Sequence, residues 1–354
     1  MMRAGISIAL GVWLLAAAVP LRAQDRLTLA ADVLFYGDNT EFRNPFREGE
    51  TLFGAAPRLS AALALGDRAS LELGAFANLR FGSERASEFT RPIVALRLTS
   101  GASTFVFGTL DPPRIIDPPG PDRTGPHGLL PPIQRETLAF ERPYEAGLQW
   151  TTRHARIRND MWLSWQALNT PEHRERFNAG ANTAWLAADG VTIPLQFHIV
   201  HHGGQQFASG PVADSYAAAG GAAVDWPIND ANFRLELLGL LSRHVPDRDR
   251  PARARTGRGV FTRGALEGHG WRGHLLFWRG KDFVKEEGDP NYLSLFRSGE
   301  YYAGVRDYAE MGVARTFAPA PGVRVEASAR LHRVERHYEY SFRIVSRAIW
   351  RHGS

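Results

Sequence analysis

The sequence runs to 354 residues, carries a net charge of +5 and contains no cysteine. A chain without cysteine has no disulfide staples and no terminal thiol to acylate as a lipoprotein. Apart from Lys281 and Lys285 its basic residues are arginines, scattered singly and not gathered in a patch, which argues against a nucleic-acid partner.

At the N-terminus, Arg3 precedes an apolar run from Ile6 to Pro20, and Leu21-Arg22-Ala23 offers a small residue at a cleavage point. That run is shorter than the roughly 20 residues needed to cross a bilayer as a helix, so residues 1–23 are expected to be a signal peptide. Residues 24–354 then form the mature part. No later stretch is apolar enough to span as a helix.

From there the period is two. Leu71, Leu73, Ala75, Ala77, Leu79 and Phe81 alternate with Glu72, Gly74, Phe76, Asn78 and Arg80. Met161, Leu163 and Trp165 alternate with Asp160, Trp162, Ser164 and Gln166. Val323, Val325, Ala327, Ala329 and Leu331 alternate with Arg324, Glu326, Ser328, Arg330 and His332. Successive strand side chains point to opposite faces, so each segment has an apolar face and a polar one. The pattern predicts sixteen strands, from 26–36 and 52–65 through 143–152, 155–168 and 300–317 to 322–332 and 337–350. Fourteen remain open, because Ala217 to Ala223 has little β propensity. Pro194 lies inside an otherwise regular strand and calls for a bulge or a local break. Thr170-Pro171-Glu172 starts at most one helical turn.

Tight connections, as at Gly66-Asp67, Asp189-Gly190 and Gly268-His269, alternate with long ones such as 37–51, 111–142, 202–212 and 281–299. A meander with one trimmed and one elaborated rim has the pattern of an outer-membrane barrel, with short periplasmic turns and long external loops. The last segment resembles the C-terminal strand of bacterial outer-membrane proteins: Tyr338, Tyr340, Phe342, Ile344, Ala348 and Trp350 share a face. The resemblance covers the whole mature chain and implies an all-β, single, closed antiparallel transmembrane β-barrel. It also implies recognition by barrel-assembly machinery through the strand ending at Trp350, although Arg351 to Ser354 follow the aromatic. Trp150, Trp162, Trp165, Trp185, Trp226, Trp271, Trp278 and Trp350 are expected in interfacial girdles.

In such a barrel charge must face inward, because arginine at mid-bilayer costs about 2–4 kcal/mol on a lipid-facing strand. The expected pore lining is Arg58, Arg80, Arg156, Arg158, Asp160, Arg234, Glu236, Arg263, Arg306, Glu310, Arg324, Glu326, Arg330, Arg343 and Arg347. The proline-rich loop 111–142 resembles the constriction loop of general porins in its position, which implies Arg114, Asp117, Asp122, Arg123, Arg135 and Glu136 at a narrowing of the lumen. A cap on the external surface is its competitor.

No G-x-S-x-G, H-E-x-x-H or G-K-[ST] motif occurs, and no thiol can act as a nucleophile, so neither an enzyme nor a cofactor is expected. Period two places His198 and His202 inside and His201 outside, without a further metal ligand in sequence. Asp38, Asn39 and Glu41 could hold a sugar or cation, against the alternative of an ordered turn. The expected function is a porin-like channel for small hydrophilic solutes, with surplus arginine favouring anions. An outer-membrane enzyme acting on lipid or glycan, or a closed structural or adhesion barrel, stays open. Its partners are membrane lipid and small solutes, with homo-oligomerisation undecided.

Overall fold

The computed structural model describes residues 26–111, 126–204, 206–207 and 210–353. The expected signal peptide, and Arg114, Asp117, Asp122 and Arg123 of the proline-rich loop, lie outside the described residues. Sixteen strands follow in chain order: β1 Leu27–Glu41, β2 Glu50–Gly66, β3 Ala69–Arg80, β4 Phe89–Ser100, β5 Ser103–Thr109, β6 Ala146–Arg153, β7 Ile157–Ala167 and β8 Glu175–Ala188. They continue as β9 Val191–Gly203, β10 Ala213–Ile228, β11 Ala231–Val245, β12 Arg255–Gly268, β13 Trp271–Lys281, β14 Val305–Ala320, β15 Val323–Val334 and β16 His337–His352. Each pairs antiparallel with its sequence neighbours, and β1 closes on β16 from Leu29–His352 to Glu41–Tyr340. Closure leaves no free edge for the sheet as a whole, which is what permits strands to stand in lipid.

The small-residue stretch of β10 is a full strand. Its inward Ala217 and Ala219 are small enough to leave room for segments packed behind them. Pro194 needs no bulge. It pairs in register with Ala184 of β8, and on the other side the ladder skips from Leu195–Gly220 to Thr192–Ala223 with the register kept. Thr170 makes no helix; its Oγ1 accepts from the backbone N–H groups of Glu172 and His173.

The tight turns, the start of β1 and the end of β16 share one end, periplasmic in an outer-membrane barrel. Between β12 and β13 the turn residues His269 and Gly270 both take left-handed φ values, 52° and 75°, the conformation a two-residue hairpin needs. Leu59, Leu73, Leu195, Leu237, Leu275 and Leu331 are exposed on the outer face, as a lipid-facing band requires. Trp150, Trp185, Trp226, Trp271 and Trp350 are exposed toward the periplasmic ends of their strands, and Trp165 toward the other end.

Trp162 and Trp278 depart from the girdle expectation: both are buried inside the barrel. They share faces with inward residues, Trp162 with Asp160 and Ser164, and Trp278 with His274 and Leu276. The Trp278 indole lies over Gly259 and Gly280, where an added Cβ would stand 2.1 and 2.5 Å from ring atoms.

The connections 37–51 and 281–299, expected outside, also differ, and they turn inward beside the described part of loop 111–142. Residues 42–49, 126–145 and 282–304 carry Phe46, Leu129, Leu130, Ile133, Phe283, Tyr292 and Leu293 into one apolar cluster. Wall residues Trp162, Leu238, Leu240, Phe261, Leu276, Trp278 and Tyr308 face that cluster from the strands. The outer half of the lumen is thus filled by a plug with the character of a soluble protein core. Exposing so many large apolar side chains to water would cost about 25 cal/mol per Å², which is why these loops turn inward.

Candidate functional site

Polar groups hold the plug to the wall. Glu287 accepts from Arg142 and Arg176 at 2.7 and 2.8 Å, and Glu286 from Arg176 and His202 at 2.9 and 2.7 Å. Burial pushes the neighbouring Lys285 ammonium down to about 7, against the pull of Glu287 and Glu286. Glu136 receives Arg330 and Arg343 at 3.0 and 2.7 Å. Burial alone would raise its carboxyl; the two guanidinium groups overcome that and hold it at about 2. His127 stacks on Trp162 with ring centroids 3.7 Å apart, and its two nitrogens meet Asp160 and Glu145 at 2.9 and 2.8 Å. Arg306 lies with its guanidinium carbon 3.3 Å from the centroid of Phe46 and donates to the carbonyls of Leu293 and Asn291.

The expected pore-lining residues therefore divide. Arg158, Arg234, Glu236, Arg263, Glu310, Glu326, Arg330 and Arg343 line a cavity of about 340 Å³ below the plug. Its walls run from Asn232, Glu267 and Arg272 beside the periplasmic turns up to Glu136 and Tyr292 of the plug. Arg58 and Arg347 are buried against Glu72 and Asp32, and Arg306 of β14 is buried against Phe46 and Leu293 of the plug. Arg80 sits over Tyr36, and Asp160 is engaged by His127 and Gln149. Arg324 stands near the periplasmic end of β15, while Arg156 is in the turn before β7 and not on a strand. Of the loop residues, Arg135 pairs with Glu141 and Glu136 with the wall. Asp38 and Asn39 part company: Asp38 is buried with Arg343, whereas Asn39 bonds Glu41 and Thr51.

At the top of this cavity three adjacent strands bring together residues that no contiguous motif announces. Ser341 of β16 lies 2.8 Å through Oγ from Nε2 of His332 on β15. The other ring nitrogen, Nδ1, is 2.7 Å from the hydroxyl of Tyr308 and 3.3 Å from Glu310 Oε2, both on β14. Tyr308 donates its hydroxyl to Glu310 Oε2 at 2.6 Å, so it accepts from the imidazole. In the neutral imidazole this contact places the ring proton on Nδ1 and turns the Nε2 lone pair to the serine hydroxyl. His274 holds the second oxygen of Glu310 at 2.7 Å. Phe42 packs edge-on against His332, and Arg330 is the direct cross-strand neighbour of Ser341. A hydroxyl, a base with a fixed tautomer and an orienting carboxylate are the components of nucleophilic acyl transfer. Register is the reason sequence reading missed them, since the residues lie on three consecutive strands and meet only through the hairpin pairings of Glu310 with His332 and Arg330 with Ser341.

A closed, sixteen-stranded antiparallel barrel with a lipid-facing apolar band and aromatic girdle defines an outer-membrane protein of Gram-negative bacteria. The family model described as lipid A 3'-O-deacylase-type matches residues 19–347, and the chain belongs to that family. This corrects the expectation of a protein that is not an enzyme: the family is an enzymatic one, and the absence of a contiguous catalytic motif carried no weight for residues gathered from separate strands. No curated protein matches the sequence. Solved structures of similar fold include a loop-deletion form of OmpT, an outer membrane protein of Vibrio cholerae, with TM-score 0.56 and 11% identity over 92% of this chain and 100% of that one. OccK8 (OprE) of Pseudomonas aeruginosa gives 0.53 and 10% over 92% and 98%, and an anion-selective porin from Comamonas acidovorans 0.54 and 8% over 92% and 99%. At such identities the likeness is one of fold alone.

Proposed function

We propose that the protein is an outer-membrane hydrolase of acyl esters, with Ser341 as nucleophile, His332 as general base and Glu310, through Tyr308, as the group that orients the imidazole. The observation that carries this reading is the 2.8 Å approach of Ser341 Oγ to Nε2 of His332, whose other nitrogen meets Tyr308 and Glu310, on the wall of a cavity. Membership of a deacylase-type family supports the same bond as the target.

In the first half-reaction His332 Nε2 takes the serine proton as Oγ attacks the ester carbonyl carbon. The oxyanion of the tetrahedral intermediate forms beside Arg330, whose charge stabilises it. The imidazolium then returns the proton to the departing alkoxide, leaving an acyl-serine. Water, activated by the same nitrogen, attacks that ester; the acid leaves and the serine hydroxyl is restored. The cavity of about 340 Å³ fits the ester-bearing arm of a substrate and not a whole glycolipid.

The test is hydrolysis of a short-chain p-nitrophenyl ester and of lipid A by purified barrel in detergent. Turnover should fall to background in Ser341→Ala and His332→Ala, and a fluorophosphonate should label Ser341 alone. Full turnover in Ser341→Ala, with no label taken up by the wild type, would remove the reading.

A second reading, passage of small hydrophilic anions, is favoured by the arginines along the cavity that continues the periplasmic mouth. It requires the plug to move, and bilayer conductance of Ser341→Ala protein measures it separately from hydrolysis.

A further inference from the structure

The barrel wall is not of even height. β5 and β6 pair with their outer neighbours only as far as Ala95–Gly108 and Gly147–Ser164. Above those pairs β4 continues from Val94 to Phe89 with β3 alone beside it, and β7 continues to Ala167 with β8 alone. The result is a notch in the outer half of the wall, bordered on the β4 side by about 20 Å of strand edge. Unpaired backbone in contact with hydrocarbon is costly. The notch softens that cost locally: Pro92 has no N–H, its carbonyl accepts from the Tyr144 hydroxyl at 2.8 Å, and Val94 donates to Thr109 Oγ1 at 3.1 Å.

A pocket of about 180 Å³ lies in this notch, distinct from the cavity below the plug. Phe89 and Arg91 line it from β4, Ser164 and Gln166 from β7, and Arg142 from the inserted loop. Trp165, also at its lip, points to the lipid side and is 41% exposed. The charges around the pocket are satisfied with one exception. Arg142 pairs with Glu287, and Glu145 with His127, whereas Arg91 is exposed and has no hydrogen-bond or carboxylate partner among the described residues. A second observation lies in the same walls: the side-chain oxygens of Gln134 and Gln166 are buried without a donor.

We infer that this notch is a lateral binding site for the phosphate headgroup of an outer-leaflet lipid. Arg91 receives the phosphate, and the acyl chains stay in the bilayer past Trp165. An arginine fork matches phosphate geometry, and the aromatic lip sits where amphipathic rings favour the membrane boundary. The site needs no hydrolysis at Ser341, which faces the separate cavity.

Native mass spectrometry of the whole protein in detergent tests the inference, with dimyristoyl phosphatidic acid as probe and dimyristoylglycerol as its phosphate-free counterpart. The wild type and Ser341→Ala should retain phosphatidic acid equally. Arg91→Ala should weaken retention about tenfold, and Ser164→Trp, which fills the pocket, should abolish it. Arg91 is exposed, so its variant folds even if the tryptophan is not tolerated. Equal retention of both lipids, unchanged binding in Arg91→Ala, or full displacement by equimolar inorganic phosphate would overturn it.

Discussion

Trp278 donates its indole N–H to the backbone carbonyl of Tyr292 at 3.1 Å, joining the wall of the barrel to the segment folded inside it. The tryptophan reaches that carbonyl because two glycines beneath the ring leave it space. Replacing a buried tryptophan by alanine costs about 3–5 kcal/mol. Trp278→Ala should therefore lower the thermal transition of the detergent-solubilised barrel, read as loss of tertiary signal before the strands melt. Gly259→Val should give a similar loss by expelling the ring.

His127 gives the plug a dependence on alkaline pH. Burial disfavours its charge, but the Glu145 and Asp160 carboxylates outweigh that and raise it to about 10. Its folded value exceeds the ordinary 6.5, so its contribution is complete below about pH 6.5 and is lost as pH rises through about 10. Tryptic cleavage of the inserted loop should quicken across that window in the wild type. In His127→Gln it should already be fast at pH 7 and stay flat.

Glu136 acts at the opposite end of the scale. Held at about 2, it contributes above the ordinary carboxylate range, and that contribution disappears as pH falls through about 2. Glu136→Gln removes this carboxylate from Arg330 and Arg343, which keep Glu310 and Asp38 beside them, so the loop loses its hold on the wall. Limited proteolysis near residue 135 at neutral pH should show the loop released in the variant and protected in the parent.

For the hydrolytic reading, Glu310→Gln and Tyr308→Phe separate orientation from chemistry. Removing the orienting charge should lower kcat about 10²–10⁴-fold with KM little changed, because the imidazole loses its tautomer preference. Tyr308→Phe should fall less, since Glu310 Oε2 is already 3.3 Å from Nδ1 and can take over the proton on it. Steady-state kinetics on the p-nitrophenyl ester distinguish the two. Equal loss in both variants would mean that the tyrosine carries the whole relay.

The wall of this barrel was legible in the sequence because period two is a local property. The alternation of Val323 to Leu331 placed β15, whereas Trp162, expected in a girdle, shares its face with the polar Asp160 and Ser164, a signal of the inside that the girdle expectation passed over. The contents of the barrel were not legible in the same way. Segment 281–299 reads as a long polar loop by its charges and glycines, yet Phe283, Val284, Tyr292, Leu293 and Phe296 are too apolar for a water-exposed connection. That excess was the available signal for an inserted loop. The Ser341–His332–Glu310 arrangement offered none, because its members come from three strands and meet through register.

The segment that completes the plug connects β13 to β14, far along the chain, and most of the apolar wall it covers belongs to earlier strands, among them Leu238, Leu240, Phe261, Leu276 and Trp278. During synthesis and export those side chains wait for a partner that has not yet arrived. A barrel assembled strand by strand would present a wet, greasy interior until its final third is threaded. Zipping of the seam between β1 and β16 and desolvation of the interior must then fall close together in time, so a late-loop lesion would yield a cylinder that inserts but stays collapsible from within.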